Sequence, residues 1–201
     1  MKSLIYTSLA VCLFSGIVAA KHKSESPIYD LNPDASLGVL HPEDDHSTIS
    51  RKWNSISYTL NTSDLDPATP HTVWLVAFNY PEFCLSSPCS VADFPFVPGH
   101  DPRAQATFVN AGGGLSNVDG TGHFIGKVYR ARNGVSGSEV VIGPGLVNPK
   151  HADIRLVMRS HGMPGSFEDL LAALKSYRGA CNDSNGAMPA CRDYQISIHL
   201  P

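Results

Sequence analysis

The chain has 201 residues, room for one domain with a full core or one domain plus an appendage. Its 15 Lys+Arg against 18 Asp+Glu give a formal net charge of -3, which argues against a nucleic-acid binder working by phosphate neutralisation. With 17 Gly, 15 Pro and 42% hydrophobic residues, collagen-like and wholly disordered chains are excluded as well.

Residues 1–20 begin with Lys2, continue through an apolar run and end on Val18-Ala19-Ala20. This order predicts a secretory signal peptide cut after Ala20, too short for a permanent membrane span. Cys12 follows a valine rather than the small residue of a lipoprotein site, so no lipid anchor is expected. The mature chain is expected to be secreted, soluble and extracellular, with 14 Lys+Arg against 18 Asp+Glu and no membrane span.

Residues 21–52 are rich in charge, Pro and Ser, with Tyr29 the only aromatic residue. They read as an extended acidic tail or a pro-segment, ending at the dibasic pair Arg51-Lys52. From Trp53 onward the apolar period is two, and the domain is placed at residues 53–201. Residues 54–60 alternate as a strand, and residues 71–79 are apolar on both faces, as in a strand covered on both sides. Residues 81–102 form a long Pro-rich loop. Residues 105–110 make a short strand broken at Ala111-Gly112-Gly113-Gly114, and residues 121–130 and 139–147 continue the series.

In residues 151–160, Ala152, Ile154, Leu156 and Met158 fall on one face. His151, Asp153, Arg155 and Arg159 fall on the other, which is expected to meet water. The period then changes. Ser166 and Asp169 have capping-box spacing, and Phe167, Leu170, Leu171, Leu174 and Tyr177 share one helical stripe that Gly179 can close. Residues 193–200 alternate again as a final strand. The expected fold is mostly β, an antiparallel β-sandwich-like domain with one amphipathic helix before the last strand.

Four cysteines remain after the leader: Cys84, Cys89, Cys181 and Cys191. In an oxidising compartment they allow three pairings, and their distribution favours Cys84–Cys89 and Cys181–Cys191. Their spacings fit no zinc ribbon or finger. Asn61-Thr62-Ser63 and Asn182-Asp183-Ser184 match the N-glycosylation pattern.

No complete catalytic signature is present. Residues 134–138 resemble a nucleophile elbow but end in Ser instead of Gly. Nine histidines are the unusual resource. His41-Pro42-Glu43-Asp44-Asp45-His46 gathers imidazoles and carboxylates that a divalent cation could use, though in a solvated tail the ordering entropy opposes it. His71 and His123 lie near strand starts, His161 and His199 near strand ends. If the first pair of strands runs antiparallel to the second, the four imidazoles meet at one end of the sheet and suit Cu or Zn. Arg155 and Arg159, with Asp153, offer a ligand-binding set for a carboxylate, phosphate or sulfated sugar, unless that face simply pairs with neighbouring strands. Trp74 is expected in the core, and Trp53 is free to be exposed.

Residues 71–84 (HTVWLVAFNYPEFC), 152–162 (ADIRLVMRSHG) and 191–199 resemble a group of secreted single-domain proteins without an assigned activity. The resemblance covers most of residues 70–200 and implies that the cysteines and the Arg-Ser-His-Gly strand end belong to a shared scaffold. The Gly-rich strands are also similar to those of copper/zinc superoxide dismutase-like sandwiches, but the His-x-His metal pair of that fold is missing. The expectation is a secreted, disulfide-stabilised β-domain that binds an extracellular ligand or forms part of a surface, without catalysis. The alternative is a His-rich metal-binding protein or metal-dependent extracellular enzyme.

Overall fold

The computed structural model describes residues 22–132, 136–179 and 191–201. Two antiparallel sheets pack face to face. The first joins β1 (Lys23–Pro27), β4 (His46–Lys52), β5 (Ser55–Thr62) and β8 (Gly122–Tyr129) in that order. The second runs β3 (Leu37–Leu40), β2 (Tyr29–Leu31), β11 (Arg192–His199), β10 (Asp153–Ser160), β6 (Pro70–Phe78), β7 (Ala106–Leu115) and β9 (Val140–Ile142). The only α-helix among the described residues, α1 (Phe167–Lys175), precedes the last strand. The sandwich-like, mostly β architecture expected from the alternation is therefore observed.

The residues assigned to a tail are instead four strands. β1 and β4 belong to one sheet, β2 and β3 to the other, and the turn at Trp53-Asn54 joins β4 to β5 within a hairpin. Few residues here are apolar, but those that matter are deeply placed: Ile28 and Ile49 are buried. Many of the polar groups here are paired across strands or through side-chain bonds, so low hydrophobicity did not imply disorder.

The core has two layers. Between the sheets, Ile49, Ile56, Leu60 and Phe124 meet Val73, Leu75, Ile154 and Met158. On the outer face of the larger sheet a second apolar layer contains Trp74, Val76, Phe78, Phe108, Val157 and Ile196. The 81–105 loop and the segment after α1 cover it, with Phe94 and Tyr177 packed against it. This corrects the expected wet face of β10: Asp153 and Arg159 are buried, because β10 is a central strand covered on both sides.

β7 does not break at its glycines. Asn110 Oδ1 accepts from the Gly112 N–H at 2.9 Å, and the pairing with β6 shifts register at Val73/Trp74. Gly112 has φ +125°, a bulge conformation that suits glycine. At Gly113 the strands approach so closely that a Cβ would lie 2.4 Å from the His71 carbonyl oxygen. The glycines are what allow β7 to continue.

α1 starts as expected, with Ser166 Oγ accepting from the Asp169 N–H at 3.1 Å. It ends at Ser176, in extended backbone, before Gly179. Its stripe is only partly covered: Phe167 is 67% exposed, and Ala173 is the one buried residue of the helix.

If residues 22–52 are integral, Ile49→Ala leaves a hole between the sheets. It is expected to destabilise the domain by about 2–5 kcal/mol in urea unfolding. An unchanged midpoint would mean that β4 contributes no core.

Candidate functional site

Cleft formation follows from the second apolar layer. On the outer face of the larger sheet, Val76 of β6, Arg155 and Val157 of β10 and Ile196 of β11 form a floor. The 81–105 loop supplies one wall. Cys84–Cys89 is a disulfide with a Cα–Cα distance of 5.4 Å, as expected from sequence. Beside it, Asp93 carboxylate oxygens accept from the Leu85 N–H at 2.6 Å and the Ser90 N–H at 2.7 Å. Asp153 Oδ2 accepts from the Cys89 N–H at 3.1 Å, tying that loop to β10. Phe94 and Phe96, stacked at 5.4 Å, project from the loop, and the cavity they help enclose has a volume of about 190 Å³.

Tyr177 and Asp193 line the opposite side. Arg159 holds them there: Nε donates to the Tyr177 carbonyl at 2.9 Å, and Nη1 donates to Asp193 Oδ1 at 2.7 Å. The Tyr177 hydroxyl donates to Asp193 Oδ2 at 2.9 Å, and the guanidinium stacks 3.8 Å from the Tyr177 ring centroid. Arg159 is thus a clasp rather than a ligand-binding group.

Arg155 differs. Its side chain is 14% exposed and lines the cavity, yet Nε meets no acceptor. The nearest carboxylate oxygen, Asp153 Oδ1, is 3.9 Å away and itself accepts no hydrogen bond. Burial pushes the Arg155 pKa down, while the charges of Asp153 and Asp93 oppose that shift. Burial also pushes Asp153 up, against the pull of Arg155 and Arg51. Two guanidiniums thus already balance two carboxylates, which removes the reason to expect an anion here. Of the proposed trio, only Arg155 reaches the cavity.

The four histidines do not gather. β10 pairs antiparallel with both β6 and β11, with Ser160 opposite His71 and Ile154 opposite His199. His199 therefore sits at the other end of the sheet from His71. His71 points between the sheets, where Tyr194 Oη lies 2.6 Å from its Nε2. Its Nδ1 donates to the Thr69 carbonyl at 2.8 Å. His161 lies on the opposite face of the sheet. Its Nε2 is 2.7 Å from Thr72 Oγ1, which also accepts from the Trp74 indole, and its Nδ1 donates to the Gly179 carbonyl. His123 is exposed on β8, with Nδ1 against Asn61 Oδ1. Among the described residues the only close set of three metal-type side chains is Cys84, Cys89 and Asp93, whose sulfurs are bonded to each other. A shared Cu or Zn ion has no place in this arrangement.

His41 is not in a solvated tail. It is buried between Asp30 Oδ1 and Asp45 Oδ2, each 3.0 Å from a ring nitrogen. Burial alone would lower its pKa, but the hydrogen bonds and charges of the two carboxylates outweigh it and raise the value. An imidazolium donating from both nitrogens has no lone pair for a metal. Asn61 lies on β5, half-buried on the outer face of the smaller sheet. Asn182 and Cys181, and with Cys181 the expected second staple, lie outside the described residues.

Sequence reasoning missed Phe94, Phe96, Ile142 and Ala35 as cavity residues. A signal existed: Phe94-Pro95-Phe96 puts two large apolar side chains in a loop, where proline restricts the backbone and something must cover them. Comparison with known proteins found no family model, no curated protein and no solved structure that matches the chain.

Burial lowers both His71 and His199 to about 4, the Arg51 charge adding to the effect at His199. Because these folded-state values lie below the ordinary 6.5, the unfolded chain binds protons first as the pH falls. Stability is expected to drop between pH 6.5 and 4, by up to about 1.4 kcal/mol per pH unit for each imidazole. His41 has the opposite sign, since its contribution is present below pH 6.5 and lost as the pH rises through its raised value. Urea unfolding at pH 4.5, 6 and 8 checks both. His199→Gln should flatten the acid limb, whereas His41→Gln should lose more stability at pH 6 than at pH 8.

Proposed function

We propose that the protein is an exported, disulfide-stabilised binding domain without catalysis. Its site is the cleft on the outer face of the larger sheet. Support for export comes from the charged start, apolar run and small-residue end of residues 1–20, and from the Cys84–Cys89 bond, of a kind found mostly in oxidising compartments. The likeness to secreted single-domain proteins points the same way. No helix among the described residues is long and apolar enough to cross a membrane.

The observation that carries the binding reading is Arg155, whose guanidinium is mostly buried and yet lines a largely apolar cavity. Apolar pockets with a few fixed polar groups are the usual form of small-molecule sites. Size and charge limit the ligand. A dry cavity of about 150 Å³ takes up benzene, so this one fits a single ring with a short substituent. The two arginines near Asp153 are already matched by Asp153 and Asp93, and a further anion would be left unbalanced. The ligand class is a small neutral aromatic compound with an acceptor oxygen for Arg155.

Acetophenone, ethylbenzene and benzoate distinguish the requirements in calorimetric titration. Acetophenone is expected to bind best, and Arg155→Met should weaken it about tenfold, the value of one hydrogen bond to a charged donor, while leaving ethylbenzene unchanged. Phe94→Ala should weaken both. Tighter binding of benzoate, or an equal acetophenone affinity in Arg155→Met, would overturn the assignment. The exported product is separately expected to begin at Lys21 on N-terminal sequencing, and a secreted chain retaining residues 1–20 would contradict the leader.

A further inference from the structure

Away from that cleft, the turn joining β4 to β5 carries Trp53, whose surface is 59% exposed. Tryptophan is usually among the most covered residues, so an indole at a hairpin tip asks for a reason. Trp53 and Tyr80 share an open depression of about 350 Å³ with Arg130, Lys150 and His151. Its other lining residues are Val147, Asn148 and Pro149, and none is acidic. Arg130 and Lys150 form no ion pair with a described residue. In a chain with net charge -3, a carboxylate-free group of basic side chains beside an exposed indole is a local departure from the molecule's balance.

The depression is also held in shape from beneath. The buried Arg51 guanidinium donates from Nη1 to the Pro149 carbonyl at 3.1 Å and the Ala152 carbonyl at 2.7 Å. These bonds bracket Lys150 and His151. Asn79 Oδ1 accepts from the Val147 N–H at 2.7 Å and the Asn148 N–H at 3.0 Å. On the other side, the Arg130 N–H donates to the Asn54 carbonyl at 2.8 Å, fixing Arg130 beside the Trp53 turn. The backbone under each basic side chain is therefore tied to a neighbouring strand or loop, which lowers the ordering cost of binding.

We infer that this depression is a second binding site, for a short sulfated saccharide. Pyranose rings present an apolar C–H face that packs on an exposed indole, and the anionic substituents are met by Arg130 and Lys150. A single-stranded nucleic acid would also stack and pair with cations, but it offers one anionic group per nucleotide, whereas a sulfated saccharide sets several around the ring that packs on the indole. A short saccharide needs only the local charges. The site is independent of the Arg155 cleft and stands if that assignment fails.

The chain has two tryptophans, and Trp74 is fully buried, so acrylamide quenching of indole fluorescence reports on Trp53 alone. The mature protein is titrated with a fully sulfated hexasaccharide of alternating glucosamine and uronate, its desulfated counterpart, and a hexanucleotide of single-stranded DNA. The sulfated sugar is expected to bind and to protect Trp53 from quenching, and the other two to bind at least tenfold more weakly. Trp53→Ala should weaken the sulfated sugar about tenfold, and the double variant Arg130→Gln, Lys150→Gln by more. Both change exposed side chains, and their unfolding midpoints verify the fold. Arg155→Met should bind as wild type does. Absence of binding, equal affinity for the DNA, or an unchanged affinity in Trp53→Ala would overturn the inference.

Discussion

The two sheets are joined along one margin by a seam of buried polar groups, and the rest of the molecule depends on it. Beyond Tyr194, the inward-facing side chains of β11 are Gln195, Ser197 and His199, not apolar residues, and all three are buried. Thr62 Oγ1 donates to Gln195 Oε1 at 2.8 Å, Gln195 Nε2 donates to the Ser63 carbonyl at 2.8 Å, and Ser47 Oγ meets Ser197 Oγ at 2.7 Å. His199 lies between Ser24 and Ser47. Buried polar groups are expensive when unpaired, so only one docking of the smaller sheet on β11 satisfies them all. Apolar contact alone would permit sliding; the seam does not.

Arg51 closes one end of that seam. Besides its bonds to the 149–152 loop, Nη2 donates to the carbonyls of His199 at 3.0 Å and Leu200 at 3.3 Å. Burial lowers its pKa to about 10, opposed by the Asp153 charge, which leaves it charged at neutral pH. One side chain of the smaller sheet thus ties down the end of the chain and shapes the loop beside Trp53. At the other end, His41 joins Asp30 of β2 to Asp45, whose Oδ2 also accepts from Ser63. The N-terminal strands are held by charge and hydrogen bonding more than by apolar area.

The two candidate sites use different parts of this frame. The aromatic cleft exists because β6 carries apolar side chains on both faces, β10 beside it adds Val157, and the disulfide-pinned loop covers the outer face. Arg155 is left with an unbonded Nε there because Asp153 Oδ2 is held by the Cys89 N–H while Oδ1 stays 3.9 Å away, beyond hydrogen-bond reach. The basic depression exists because Arg51 and Asn79 spend their hydrogen bonds on backbone carbonyls and N–H groups, leaving the outward side chains of the same loop for solvent or ligand.

Much of this was legible from residue order. Local rules located β5, β6, β8, β10 and β11, the Ser166 cap and the Cys84–Cys89 staple, since alternation, capping and short-range sulfur pairing are properties of neighbouring residues. The strands of residues 22–52 were not legible: their stability comes from distant partners such as Gln195, opposite Asp30 in the sheet, and Ser197, bonded to Ser47 from 150 residues away, and an isolated polar segment looks the same whether solvated or paired. Nor could alternation say what covers the second face of β10, so Asp153 and Arg159 read as wet. The separation of the histidines was decided by strand order alone. Placing β10 between β6 and β11 sends His199 to the far end, and side-chain alternation turns His161 away from His71. Periodicity specifies which side chains share a face; only long-range pairing specifies what that face meets.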